Sequence, residues 1–109
     1  MTITTSMWIG WAVLLVIQNF AFTAVSRGRN SGSIIYHGVA SFFSNGVWFA
    51  QFFIIFNVME AIQERVSEGH YGFGIFAFVI YTFFTMTGSL SAHHLLRTHF
   101  EKGNRKVGA

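Results

Sequence analysis

Residues 7–25 read MWIGWAVLLVIQNFAFTAV, a run of 19 residues without a charged side chain. As an α-helix with a rise of about 1.5 Å per residue, this run spans roughly 28 Å, close to the thickness of a bilayer's hydrocarbon core. Two further runs have the same character, from Ile34 to Met59 and from Tyr71 to about Leu96. The sequence therefore predicts three transmembrane helices.

The predicted fold is all-α, with helices over about 7–25, 34–60 and 71–96 in a single domain that covers residues 1–109. The composition agrees, because 52% of the residues are hydrophobic and only 10% are charged. A soluble domain carries about 25% charged residues, so lipid is the expected solvent for most of this surface. We expect the first run to be a retained helix and not a cleaved signal peptide, because the preceding MTITTS has no positive charge.

The basic residues gather on one side of the predicted membrane. They lie in the first loop and in the tail, residues 97–109, and are Arg27, Arg29, Arg97, Lys102, Arg105 and Lys106. Only Arg65 lies on the opposite side, in an acidic second loop. The positive-inside rule therefore predicts a cytoplasmic first loop and C-terminus and an outward-facing N-terminus.

Each predicted helix carries a stripe of polar or small residues. From His37 to Gln51 the spacings of 4, 3, 4 and 3 place the stripe on one face of the second helix. The candidate helix–helix or lumen residues are Gln18, Asn19, Thr23, His37, Ser41, Ser44, Asn45, Trp48, Gln51, Thr82, Thr85, Gly88 and Ser89. Two interpretations remain open: the stripes join three helices within one chain, or a surplus of polar surface mediates homo-oligomerisation or lines water.

Three histidines are predicted at similar depth on the cytoplasmic side, namely His37, His93 and His94. A haem- or quinone-associated anchor is therefore one alternative. Histidines at an interface more often bond to headgroups or to helix ends, so we expect no cofactor and no bound metal. The chain has no Cys, which excludes disulfides and thiolate metal sites.

No catalytic constellation is visible in the sequence. The carboxylates Glu60, Glu64, Glu68 and Glu101 all fall in predicted loops or near helix ends, where solvated caps are expected. We therefore expect a protein that is not an enzyme. The basic tail is expected to contact anionic membrane lipid and not nucleic acid.

Local motifs carry a resemblance to a known family. The motifs are Arg27-Gly28-Arg29-Asn30 followed by Ser31-Gly32, Gly88-Ser89-Leu90 ahead of a basic tail, and Met1 with Met7 as two potential translation starts. Together with the three-span layout, they resemble the class I holins of tailed bacteriophages. That resemblance implies a protein that oligomerises in the bacterial host's inner membrane and forms pores that permeabilise it for lysis. Its partners are then membrane lipid and further copies of the same chain.

The alternative belongs to a different class. A small non-enzymatic membrane anchor, regulatory or superinfection-exclusion subunit of a larger complex has the same three-span layout. Its partner is then a phage or host membrane protein. The sequence alone does not separate this alternative from a holin.

The predicted topology is testable with reporter tags. Because three spans place the two termini on opposite sides, an N-terminal tag on intact cells should be accessible from outside and a C-terminal tag should not. A chain tagged in the predicted first loop, between residues 25 and 34, is the control and should behave like the C-terminal tag. Two termini in one compartment would contradict the three-span prediction.

Overall fold

The computed structural model describes residues 3–101 and consists of three antiparallel helices and one terminal turn. The elements are α1 (Thr5–Arg29), α2 (Ile34–Ser67), α3 (Tyr71–Leu95) and a π-helical turn (Leu96–Phe100). All three helices are long and apolar enough to cross a membrane. The all-α, three-span prediction is therefore confirmed, and Lys102, Arg105 and Lys106 of the predicted tail lie outside the described residues.

The second helix is longer than predicted. It continues past residue 60 to Ser67 and comprises 34 residues, or about 51 Å of helix. Glu64 and Arg65, expected beyond the end of this helix, therefore lie on it. The reason is local: residues 60–67 contain good helix formers and no breaker until Gly69, whose φ of +93° ends the segment.

The connection between α1 and α2 is shorter than predicted. Arg27 and Arg29 lie in the last turn of α1 and not in a loop. The reversal of the chain falls on residues 30–33, where Gly32 has a φ of +80°. Ser33 then begins α2, because its hydroxyl accepts a hydrogen bond of 3.2 Å from the backbone N–H of Tyr36.

The first helix is the centre of the bundle. It packs against both α2 and α3, which contact each other much less. The tightest apolar cluster combines Trp11 and Leu15 from α1, Val58 from α2 and Ala77 from α3. All three helices therefore contribute to one apolar cluster around Trp11.

Large apolar side chains cover the outside of the bundle. Phe42 is 77% exposed and Phe53 is 69% exposed, as expected of surfaces that face lipid. The two ends differ in charge. The end at which α1 stops and α2 begins contains Arg27 and Arg29, and we call it the "arginine end". The end at which α2 stops and α3 begins contains Glu60 and Glu64, and we call it the "glutamate end".

The closest contact between α1 and α3 depends on Gly88. A Cβ atom at this position would lie 2.3 Å from the backbone oxygen of Val16, so only glycine fits. Ala92, one turn further, is completely buried. Gly88 and Ala92 are thus small residues four apart on α3, a spacing that allows transmembrane helices to approach closely.

Gly88→Ala should destabilise the bundle, because the new methyl group overlaps the α1 backbone. We expect a loss of about 1–3 kcal/mol in the free energy of unfolding, measured by denaturant titration in detergent micelles. Gly46→Ala is the control, since nothing lies within 4 Å of a Cβ atom at Gly46. An equal effect of the two substitutions would contradict this account.

Candidate functional site

A buried ion pair at the arginine end joins α1 to the segment after α3. The Nε of Arg27 donates a hydrogen bond of 2.8 Å to Oε2 of Glu101, and its Nη2 bonds to Oε1 of the same carboxylate. The two side chains are only 5% and 4% exposed. A bidentate arginine–carboxylate interaction of this kind fixes both side chains in position and orientation.

Two further side chains complete the cluster. The hydroxyl of Tyr36, from α2, donates a 2.7 Å hydrogen bond to Oε2 of Glu101. The Nη1 of Arg27 lies 2.9 Å from Nδ1 of His93, from α3; since an arginine side chain only donates, the histidine nitrogen accepts. We call Arg27, Tyr36, His93 and Glu101 the "ionic cluster". It links all three helices at one end.

The ionic cluster was not predicted from the sequence. Arg27 was expected to be a topogenic loop residue and Glu101 a solvated carboxylate, and both are buried. The π-helical turn explains the difference for Glu101, whose backbone N–H bonds to the carbonyl of Leu96 at 2.8 Å, five residues earlier. This wide turn follows α3 directly and precedes the carboxylate that meets Arg27.

The other histidines stand apart from this cluster. His37 is half-buried beside Gly28, and His94 is exposed. Within residues 3–101 there is no group of three His, Cys, Asp or Glu side chains that could hold a metal ion. His93 is engaged by Arg27, so ligation of a haem by this residue requires that hydrogen bond to break.

The predicted stripe of α2 is divided between the inside and the outside of the bundle. Ser44 and Gln51 are buried, Ser41 is half-buried and Trp48 is 51% exposed. Gln51 Nε2 and the indole nitrogen of Trp11 have no hydrogen-bond partner in the described part of the chain. A buried amide group without a partner is costly.

Several predicted polar residues are already satisfied by their own helix. Asn19 donates to the carbonyl of Leu15 at 3.0 Å, and Thr82 and Thr85 bond to carbonyls four residues earlier at 2.9 and 2.7 Å. Gln18, Thr23 and Ser89 are half-buried. The hydroxyls of Thr82 and Thr85 therefore need no second chain or water-filled lumen as hydrogen-bond acceptors, and one amide hydrogen of Asn19 is likewise satisfied.

Among the four candidate amides, Gln18, Asn19, Asn45 and Gln51, Asn45 is the exposed one. Its side chain is exposed on α2 and lies near the midpoint of the uncharged stretch from Ile34 to Met59. Its neighbours on the surface are aromatic, with Phe42 77% and Phe49 66% exposed. An amide in this position faces hydrocarbon, where water cannot satisfy it.

An apolar groove of about 650 Å³ lies between α1 and α2 on the arginine half of the bundle. Its floor includes Phe20 and Ala24 from α1, and its wall includes Val39 and Phe43 from α2. Leu96, beside the ionic cluster, also lines it. The groove is a surface on which an acyl chain or an apolar helix fits.

No protein-family model, curated protein or solved structure matches this chain. The class that fold and composition define is a multi-pass membrane protein with three spans.

The ionic cluster should contribute strongly to stability. Glu101→Ala leaves a buried guanidinium without its counter-charge, and we expect it to lower the free energy of unfolding in micelles by about 3–5 kcal/mol. Arg97→Ala, at an exposed position on the same turn, is the control and should stay within about 0.5 kcal/mol. If Glu101→Ala behaves like the control, the ion pair contributes little.

Proposed function

We propose that the chain is a non-enzymatic, holin-like protein that self-assembles in a bacterial inner membrane and makes that membrane permeable. The supporting observation is the pair of amides in the middle of α2. Asn45 faces lipid, and Gln51 Nε2 is buried without a partner in the part of the chain that the structure describes. The single three-helix unit thus leaves polar groups unused at the depth where they are most costly.

Self-assembly is the change that relieves this cost. Between helices in lipid there is little hydrophobic driving force, so hydrogen bonds and close packing decide association. A surplus amide is tolerated in a single chain only until another polar group at the same depth becomes available. As copies accumulate in the membrane, assembly becomes favourable by mass action.

A water-filled lumen requires the bundle to rearrange. Ser44 and Gln51 are buried in the compact unit, and the threonines of α3 bond to their own helix. The ionic cluster favours the compact form, because it joins α1, α2 and the end of α3 through Arg27 and Glu101. In the proposed mechanism, compact units persist harmlessly until assembly offers α2 alternative contacts.

The proposal is tested by inducing the protein in a bacterium and recording membrane potential with a dye. We expect the wild type to collapse the potential, and Asn45→Leu and Gln51→Leu to delay or abolish the collapse without affecting membrane insertion. Asn57→Leu is a matched control, because Asn57 is also exposed on α2 but lies beside the glutamate end. Wild-type expression that leaves potential and growth unchanged would refute the proposal.

The apolar groove favours a second candidate function. A groove lined by Phe20, Val39 and Phe43 fits the transmembrane helix of a different protein, as expected of an anchor, regulatory or superinfection-exclusion subunit. Cross-linking in intact cells separates the two candidates. A ladder of self-oligomers supports the holin-like function, whereas one defined heteromeric product supports the subunit.

A further inference from the structure

The lipid-facing side of α2 carries a regular stripe. Spacings of 3, 4, 3, 4 and 3 connect its members, all of which are exposed, and we call this set the "α2 stripe": Phe42, Asn45, Phe49, Phe52, Phe56 and Met59. Over these positions α2 rises about 26 Å, which is most of the hydrocarbon core. A spacing that alternates between 3 and 4 is the pattern by which one helix packs along another in a coiled coil.

The α2 stripe is distinct from the side of α2 that the bundle already uses. The inward side places Ser44, Gln51 and Val58 seven residues apart, and all three are buried. Asn45 and Phe52 each follow an inward residue by one position, which rotates them by about 100° around the helix. One helix therefore has two seams of heptad spacing, of which the bundle covers only the inward one.

We propose that two copies of the chain pack in parallel along the α2 stripe, with Asn45 of one copy hydrogen-bonded to Asn45 of the other. This inference rests on the proposed self-assembly and names the surface through which it begins. The orientation is parallel because every copy inserts with the same topology. The same residue of each copy therefore lies at the same depth in the membrane.

The lone amide argues for a second copy over any other occupant. An acyl chain has no hydrogen-bonding group in the bilayer core and leaves Asn45 unsatisfied. An unrelated helix satisfies it only if a polar group falls at the same depth. A two-fold pair meets this condition by symmetry, since each amide carries one acceptor oxygen and two donor hydrogens.

The position of Asn45 also sets the register of the pair. A single polar residue within an apolar seam favours the alignment in which it lies opposite the same residue of the other copy. Any shift of one helix along the other places both amides against apolar side chains. The phenylalanines at Phe42, Phe49 and Phe56 then occupy the alternate positions of the seam. The same amide thus specifies partner, depth and register.

Disulfide cross-linking tests the interface directly, since the chain contains no Cys. The full chain carrying Phe49→Cys is expressed in bacterial inner membranes and oxidised with a copper catalyst. We expect a covalent dimer, because symmetric seam positions bring the two Cα atoms within disulfide range. Phe43→Cys is the matched control: Phe43 is similarly exposed, at 62% against 66%, but lies on the groove side of α2 and should remain monomeric.

A second substitution tests how much the Asn45 amide contributes to the interface. In the Phe49→Cys background, Asn45→Leu should weaken cross-linking by about threefold to thirtyfold, and Asn45→Gln should restore part of it. Carbonate extraction checks that each variant is inserted. The interface is refuted if Phe43→Cys cross-links as well as Phe49→Cys, if neither cross-links, or if Asn45→Leu leaves the dimer unchanged.

The outcomes keep this interface separate from the proposed function. Dimers through Phe49→Cys without any loss of membrane potential would support the interface and refute the holin-like activity. Loss of membrane potential by the wild type, without cross-linking at the α2 stripe, would support the holin-like activity and refute the interface.

Discussion

Hydrocarbon around the three helices leaves every polar side chain with few ways to complete its hydrogen bonds, and the bundle is organised by this constraint. The threonines of α3 and Asn19 of α1 turn to carbonyls of their own helix. Arg27 and Glu101 find each other across the bundle. Within residues 3–101, Asn45 has neither solution, and the proposed self-assembly rests on this amide.

The two ends of the bundle are held together by different chemistry. At the arginine end, charge and hydrogen bonds connect three helices around one guanidinium. At the glutamate end, aromatic contacts connect the helices. The ring of Trp8, from α1, lies 5.5 and 5.2 Å from the rings of Phe73 and Phe76, from α3. The guanidinium of Arg65, from α2, lies 5.5 Å from the ring of Phe73. Over the described residues, α2 and α3 contact each other much less than either contacts α1, so α1 carries most of the packing.

The fold was predictable because each membrane span corresponds to a long uncharged, apolar run in the sequence. Uncharged runs predicted three helices with correct starting points at Ile34 and Tyr71, and Gly88, one of the candidate helix–helix residues, does lie at a helix contact. Helix ends were less predictable, since the segment to Ser67 continues α2 beyond the uncharged run that marks the span. The ion pair escaped prediction because its two residues are distant in sequence and a π-helical turn, which has no sequence signature here, precedes Glu101. Asn45 was noticed, but only the structure shows that it lies on the outer face while Ser44, its neighbour in the chain, lies inside.

The separation of Arg27 and Glu101 by 74 positions has a consequence for how the protein matures. During synthesis α1 and α2 emerge first and are joined by a short reversal, so they pair early. Arg27 then remains without its carboxylate until nearly the whole described chain has been made. The α1–α2 hairpin is therefore synthesised before its arginine can be paired, and the bond to Glu101 can form only once the chain has been made through the end of α3.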